Sequence, residues 1–204
     1  GATNPETADS LHNLATLYRE QGKLKEAEGL HLRALKIREK IFGPAHSKTA
    51  ASLNGLGNLY HHQQKYSQAT PLFERVLKIF EQTLGPAHPD TSKALNNLGF
   101  AYMKLGQGKK AEALFLRSLS VKEKIYGVTH PATAIALKNL AFLYHDEGNF
   151  TESLSFYRRG LDIEDQSLQT GLLRFALSEG DKVNFVDKTR SGVGYRVISL
   201  HLEQ

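Results

Sequence analysis

The sequence predicts an all-α fold, an α-solenoid of four helix-turn-helix repeats with a short non-repeating C-terminal segment. Three observations predict it. The phrase Gly43-Pro44-Ala45-His46 returns as Gly85-Pro86-Ala87-His88 and again as Gly127-Val128-Thr129-His130, at a constant interval of 42 residues. A self-similarity of that period marks stacked units, each burying its apolar face only against its neighbours. Within each interval, residues such as Leu11, Leu14, Ala15 and Tyr18 fall at i, i+3, i+4, i+7, the spacing of one helical face. Three of the four turns between the paired helices contain glycine, which suits a helix end.

The units run over 5–46, 47–88, 89–130 and 131–170, and the array as a whole over 4–170. Helix A of units one, three and four begins at a proline, in Asn4-Pro5, His88-Pro89 and His130-Pro131. Proline lacks an N–H that the first helical turn leaves unbonded anyway, and the residue before it supplies a cap. Thr7, Thr49, Thr91 and Thr133 follow two residues after these starts. The first apolar positions align as Leu11, Leu53, Leu95 and Leu137, the second as Leu14, Leu56, Leu98 and Leu140. Ala15, Gly57, Gly99 and Ala141 come next, all small, which lets helix A and helix B approach closely. Tyr18, Tyr60, Tyr102 and Tyr144 mark one ring position. Helix B then repeats Ala27, Ala69, Ala111 and Ser153, followed by Leu35, Leu77, Leu119 and Leu161.

From Gly171 the register is lost, and 171–204 reads as a separate tail, either a cap or a fragment of a following domain. Residues 170–178 have the pattern of a short amphipathic helix. Val183 to Val186 and Tyr195 to Leu202 read as two strands around a turn at 187–194. A hairpin is marginal alone, so it must pack on something: the open end of the solenoid, a following domain or a second chain.

This layout resembles the tetratricopeptide repeat, through Leu14-Ala15, Tyr18 and Ala27 and their equivalents. The 42-residue period, with Leu-Asn-Asn-Leu-Gly at 95–99 and Gly-Pro-Ala-His-Pro at 85–89, is similar to the kinesin light chain subclass. The resemblance implies a right-handed solenoid whose A helices line a concave, ligand-facing surface. It also implies a scaffold or adaptor that binds protein, since one fold hosts many ligands. Two departures stand out: Gly55 replaces the asparagine found at Asn13, Asn97 and Asn139, and Ser153 replaces the helix B alanine.

On that reading the candidate peptide-binding residues are Arg19 in unit one and Asn54, Asn58 and His61 in unit two. Unit three contributes Lys93, Asn96, Asn97, Phe100 and Met103, and unit four Lys138, Asn139 and Phe142. Asparagine both donates and accepts, so a ladder of asparagines suits an extended peptide backbone. The aromatic and Met side chains supply anchors, and the cations favour an acidic partner. The expected ligand is a protein or peptide segment with acidic and apolar residues, held at about 8 kcal/mol, a micromolar Kd. The arrays that grip a terminal carboxylate with Lys and Asn are disfavoured, because His12, Thr16 and Gly55 stand at those positions.

Composition sets the remaining bounds. The chain has 204 residues, a formal net charge of +5 and no cysteine, which excludes disulfides, thiol nucleophiles and cysteine metal sites within it. Acidic and basic residues are interspersed, as in Lys122-Glu123-Lys124, so nucleic-acid binding is not expected. An RNA-binding repeat needs an unbroken basic stripe, and Asp9, Glu20 and Asp146 interrupt it. His46, His88 and His130 sit at equivalent corners about 8–10 Å apart, too far for a shared zinc at about 2 Å. They are assigned to capping, with no metal and no cofactor. No phosphate loop, nucleophile elbow or zinc-protease motif is present, so the chain is expected to be non-enzymatic. Without a membrane span or secretory signal, the expected location is cytoplasmic. The alternative function is a sensor or autoinhibitory repeat segment of a larger signalling protein, its groove holding an intramolecular ligand.

Overall fold

The computed structural model describes residues 4–179, 184–188 and 195–199, with side chains described through residue 166. Eight helices follow one another among the described residues: α1 Pro5–Glu20, α2 Leu24–Phe42, α3 Ser47–His62, α4 Tyr66–Thr83, α5 Pro89–Lys104, α6 Gly108–Tyr126, α7 Pro131–Asp146 and α8 Phe150–Glu179. Odd-numbered helices are the A helices and even-numbered ones the B helices. Each packs on its sequence neighbours, α1 touches α3, and α3 touches α5. This is an α-solenoid with its A helices along one wall.

The repeated corner has a polar explanation. His46, His88 and His130 occupy the N-cap, and each Nδ1 accepts the backbone N–H two residues on at 3.1 Å. That satisfies one of the donors a helix start leaves orphaned. Thr49, Thr91 and Thr133 donate their hydroxyls to the carbonyls of Gly43, Gly85 and Gly127 at 2.8, 2.8 and 2.7 Å, which ties the A helix to the end of the preceding B helix. Gly43 sits at φ 88°, ψ 169° and Gly127 at φ 93°, ψ 163°, a region essentially closed to side chains.

The A–B turn is equally regular. Backbone N–H groups of Lys23, Lys65, Gln107 and Asn149 donate to the carbonyls of Tyr18, Tyr60, Tyr102 and Tyr144 at 2.8–2.9 Å, closing the helix end five residues back. The residue before each donor has positive φ: Gly22, Gly106 and Gly148, and in unit two Gln64 at 59°.

The core is the shared seam between units. Leu53, Phe73, Val76, Leu95 and Leu98 form one cluster, and Phe115, Leu137, Leu140 and Leu143 another. Small residues on helix A are required: a Cβ on Gly57 or Gly99 would lie 2.6 Å from the ring of Phe73 or Phe115. Ser153 is buried and donates to the Ala141 carbonyl at 2.8 Å, so the hydroxyl at the alanine position is satisfied.

Two expectations are corrected. Leu14 does not share the burial of its equivalents: it is 39% exposed, whereas Leu56, Leu98 and Leu140 are 3%, 4% and 0% exposed. Those three are covered by the B helix of the preceding unit, and no B helix precedes α1 among the described residues. Nor is there a separate helix at 170–178, because α8 continues without a break through Glu179. The 42-residue interval places Gln169 where Gly43, Gly85 and Gly127 end the earlier B helices, so the stop signal is missing.

Beyond α8, β1 Asn184–Lys188 pairs antiparallel with β2 Tyr195–Ser199, Val186 opposite Val197. The strands fall close to the two expected ones. What their side chains pack against, and the expected turn between them, lie outside the described residues.

Candidate functional site

Three A helices and two B helices surround a cleft of about 390 Å³. From α1 come His12, Thr16 and Arg19, from α3 Ala51, Asn54, Gly55 and Asn58, and from α5 Asp90, Lys93 and Ala94. His31 of α2 and Phe80 of α4 reach it from behind. Four of the residues singled out from sequence, Arg19, Asn54, Asn58 and Lys93, therefore meet in one place.

The asparagine ladder is partly internal. Asn97 Nδ2 donates to Asn54 Oδ1 at 2.9 Å, linking α5 to α3 across the unit boundary. That bond occupies the Asn54 oxygen and leaves its amide as a donor. Asn96 is half-buried, its Oδ1 enclosed without a hydrogen-bond partner. Asn139 is half-buried on α7 and does not line the cleft.

The cations are mostly engaged. Lys93 Nζ donates to Asp90 Oδ1 at 2.9 Å, and this contact raises the Lys93 pKa. Lys138 Nζ donates to Glu164 Oε1 at 2.5 Å. Arg19 lies 3.7 Å from Glu20, a loose and exposed pair worth little.

The aromatic and sulfur anchors divide. Met103 is 4% exposed and packs within the α6–α7 core, so the expectation that it faces a ligand is corrected. Its position on α5 matches His145 on α7 and His61 on α3, which the alignment read as outward. Phe100 is half-buried, edge-on to Phe115 with ring centroids 5.0 Å apart. Phe142 remains 39% exposed, with the Lys104 ammonium 5.5 Å from its ring centre. His61 is half-buried against Tyr66; burial, then Lys104 and His62, lower its pKa.

The candidates read from sequence did not include His31. It is 1% exposed and edge-on to His12, with ring centroids 5.3 Å apart. Burial pushes the His31 pKa down to about 4, assisted by His12, Arg19 and Arg38; burial, then Arg38, also lowers that of His12. Both rings are thus neutral near pH 7, and the Nδ1 of each is enclosed without a hydrogen-bond partner. The signal was available: His31 stands where units two and three carry Phe73 and Phe115, and Gly55 where the others carry Asn. A Cβ on Gly55 would lie 2.7 Å from His31 Cε1 and 2.8 Å from His12 Cε1, so the two departures are one feature in space.

The tetratricopeptide repeat family model matches residues 6–82, 48–102 and 90–165. The chain belongs to the tetratricopeptide repeat family. Its repeats are of the kinesin light chain-like type. A point variant of a Podosopora anserina putative kinesin light chain with nearly identical TPR-like repeats is similar at 26% identity and TM-score 0.74, over 82% of this chain and 79% of that one. BtubC (BKLC) from P. vanneervenii is similar in fold, at 20% identity and TM-score 0.74, over 98% and 72% of the two chains. The apo form of RapI shares the fold at 22% identity and TM-score 0.69, over 86% of this chain and 62% of that one. A search of the curated proteins finds no match. Among the described residues of this tetratricopeptide array, no helix is long and apolar enough to cross a membrane.

Proposed function

We propose that this array is a non-enzymatic, cytoplasmic interaction scaffold that binds a peptide segment of a partner protein in the groove along its A helices. The observation that carries this reading is the cleft where Arg19, Asn54, Asn58 and Lys93, from three successive A helices, meet. A tetratricopeptide fold commonly serves protein binding, and a cleft of this volume with convergent polar groups is the size of a binding site rather than a packing defect. Asn54 and Asn58, one turn apart on α3, offer amides to an extended backbone. Phe142 supplies an exposed ring further along the same wall. The ligand that fits is acidic and partly apolar.

The test is a double substitution, Asn54→Ala with Asn58→Ala, in a pull-down from cell extract, with helicity and melting followed by circular dichroism. The expected result is loss of specific partners at unchanged helicity. An unchanged partner set with the fold intact removes the groove from consideration.

A further inference from the structure

The B helices carry a ladder of ion pairs with two ends left over. Arg75 of α4 meets Glu39 of α2 at 2.7 Å, Arg117 of α6 meets Glu81 of α4 at 2.5 Å, and Arg159 of α8 meets Glu123 of α6 at 3.7 Å. Each rung joins the same two repeat positions. The arginine position in unit one is Arg33 on α2, and the acid position in unit four is Asp165 on α8. Both are exposed, and among the described residues neither has an ion-pair partner.

The apolar seam stops in the same two places. α2 lays Leu24 and Ala27 on Leu56 and Leu59 of α3, and Leu35 packs on the cluster of Ala50 and Leu53. The equivalents on α8 are Phe150, Ser153 and Leu161. With Leu154 and Tyr157, Phe150 and Leu161 fall at i, i+4, i+7, i+11, one helical face. Leu161 is 53% exposed where Leu77 and Leu119 are 8% and 7% exposed, and Phe150 and Leu154 are exposed too. Leu154 stands where Glu28 and Glu112 accept the tyrosine hydroxyl of the next unit, so this face has exchanged an acid for another apolar side chain. No helix follows α8 among the described residues. On α1, Leu14 and Leu17 are the open counterparts of Leu56 and Leu59. One face lacks an A helix, the other lacks a B helix, and each carries the charge that the other needs.

We propose that the chain associates head to tail with a second copy, α8 of one copy covering α1 of the next as α2 covers α3. Phe150, Leu154 and Leu161 close over Leu14 and Leu17, and Asp165 receives Arg33 as a fourth rung. The contact repeats one the chain makes internally between α2 and α3, α4 and α5, and α6 and α7. It also carries the wall of A helices from one copy into the next. Because the two patches differ, the contact is heterologous and grows with concentration instead of stopping at a dimer. A single helix-to-helix face is a small interface, so copies stay single at low micromolar concentration, with a dissociation constant on the order of 100 μM.

Sedimentation velocity of the full chain, from about 5 to about 500 μM, should give a sedimentation coefficient that rises without a plateau. Leu17→Glu spoils the α1 face and Leu161→Glu the α8 face. Each should be monomeric throughout, with helicity unchanged because both side chains are exposed. An equimolar mixture of the two should form a dimer and nothing larger, since each variant keeps the face the other has lost. Arg33→Glu should weaken association about 3- to 10-fold, and adding Asp165→Arg to it should restore growth. Asn54→Ala with Asn58→Ala should leave association unchanged, which separates this contact from the groove.

An unaltered chain that stays monomeric at the highest concentration overturns the proposal and leaves α8 to be covered within its own chain. Growth that halts at a closed dimer overturns it in favour of a two-fold contact. Retained growth in either leucine variant, a mixture of the two that stays monomeric, or no recovery in the charge swap would each overturn it as well.

Discussion

His31 shows how one side chain couples packing to solution conditions. Its pKa is about 4 when folded against 6.5 as the ordinary value. The unfolded chain therefore binds the proton more readily, and stability falls as pH drops from 6.5 through 4. The shift is worth at most about 3 kcal/mol. His31→Phe should flatten the fall in melting temperature between those pH values, read by circular dichroism; a parallel fall in both proteins would place the acid sensitivity elsewhere. Gln64 is a second residue-scale case, since a side chain at φ 59° is strained where glycine is not. Gln64→Gly should raise stability by about 0.5–1 kcal/mol in a denaturant titration, whereas glycine in an ordinary helical position costs as much. Lys122 is a third: it is 8% exposed, and burial lowers its pKa. Lys122→Met should be neutral or stabilising by about 1 kcal/mol, as removal of a buried, desolvated charge allows.

At the scale of the element, a helix's sequence does not say how much of it is covered. Leu14 and Leu17 of α1 are 39% and 54% exposed, while Leu56 and Leu59 at the same places on α3 are 3% and 0% exposed. The difference is the B helix, α2, lying against α3. Leu59→Ala should cost about 2–4 kcal/mol by creating a cavity, and Leu17→Ala under about 1 kcal/mol. Equal losses at the two sites would mean that α1 is covered in solution. The helix ends were largely readable, because caps are local: a histidine before the first turn, a threonine two residues into it, a glycine after the last. Where the local stop signal is absent, at Gln169, α8 runs on and the unit boundary expected from the repeat is lost. Met103 was misread for a related reason. Helical periodicity places a residue on a face, but the α6–α7 pair decides whether that face is closed.

For the molecule as a whole, stability is a sum of units and of the interfaces between them. Among the described residues the first unit has one neighbour, and α1 is covered from one side only. Amide hydrogen exchange should therefore be faster along α1 than along α3 and α5, by the free energy of one missing interface; uniform protection would show the array unfolding as one block. The candidate site was legible in part. Arg19, Asn54, Asn58 and Lys93 were found because the repeat aligns the A helices, and the A helices share one wall. Asp90 and the Asn97–Asn54 bond were not, because they depend on which side chains turn toward each other across a unit boundary; His31 was marked in the repeat by standing where the other units carry Phe73 and Phe115, but its meeting with His12 was not.

What the chain's own order of residues determined is the set of helical pairs, their period, their caps and the wall they present, because each of these follows from contacts within a few residues or from a repeated pattern. What only the packed molecule decided is which of those faces is closed and which polar groups are left over inside it. Burial and hydrogen-bond satisfaction are properties of neighbours distant in sequence. His31 and Gly55 are separate departures from the repeat as letters, and they become one contact only when α2 is laid against α3.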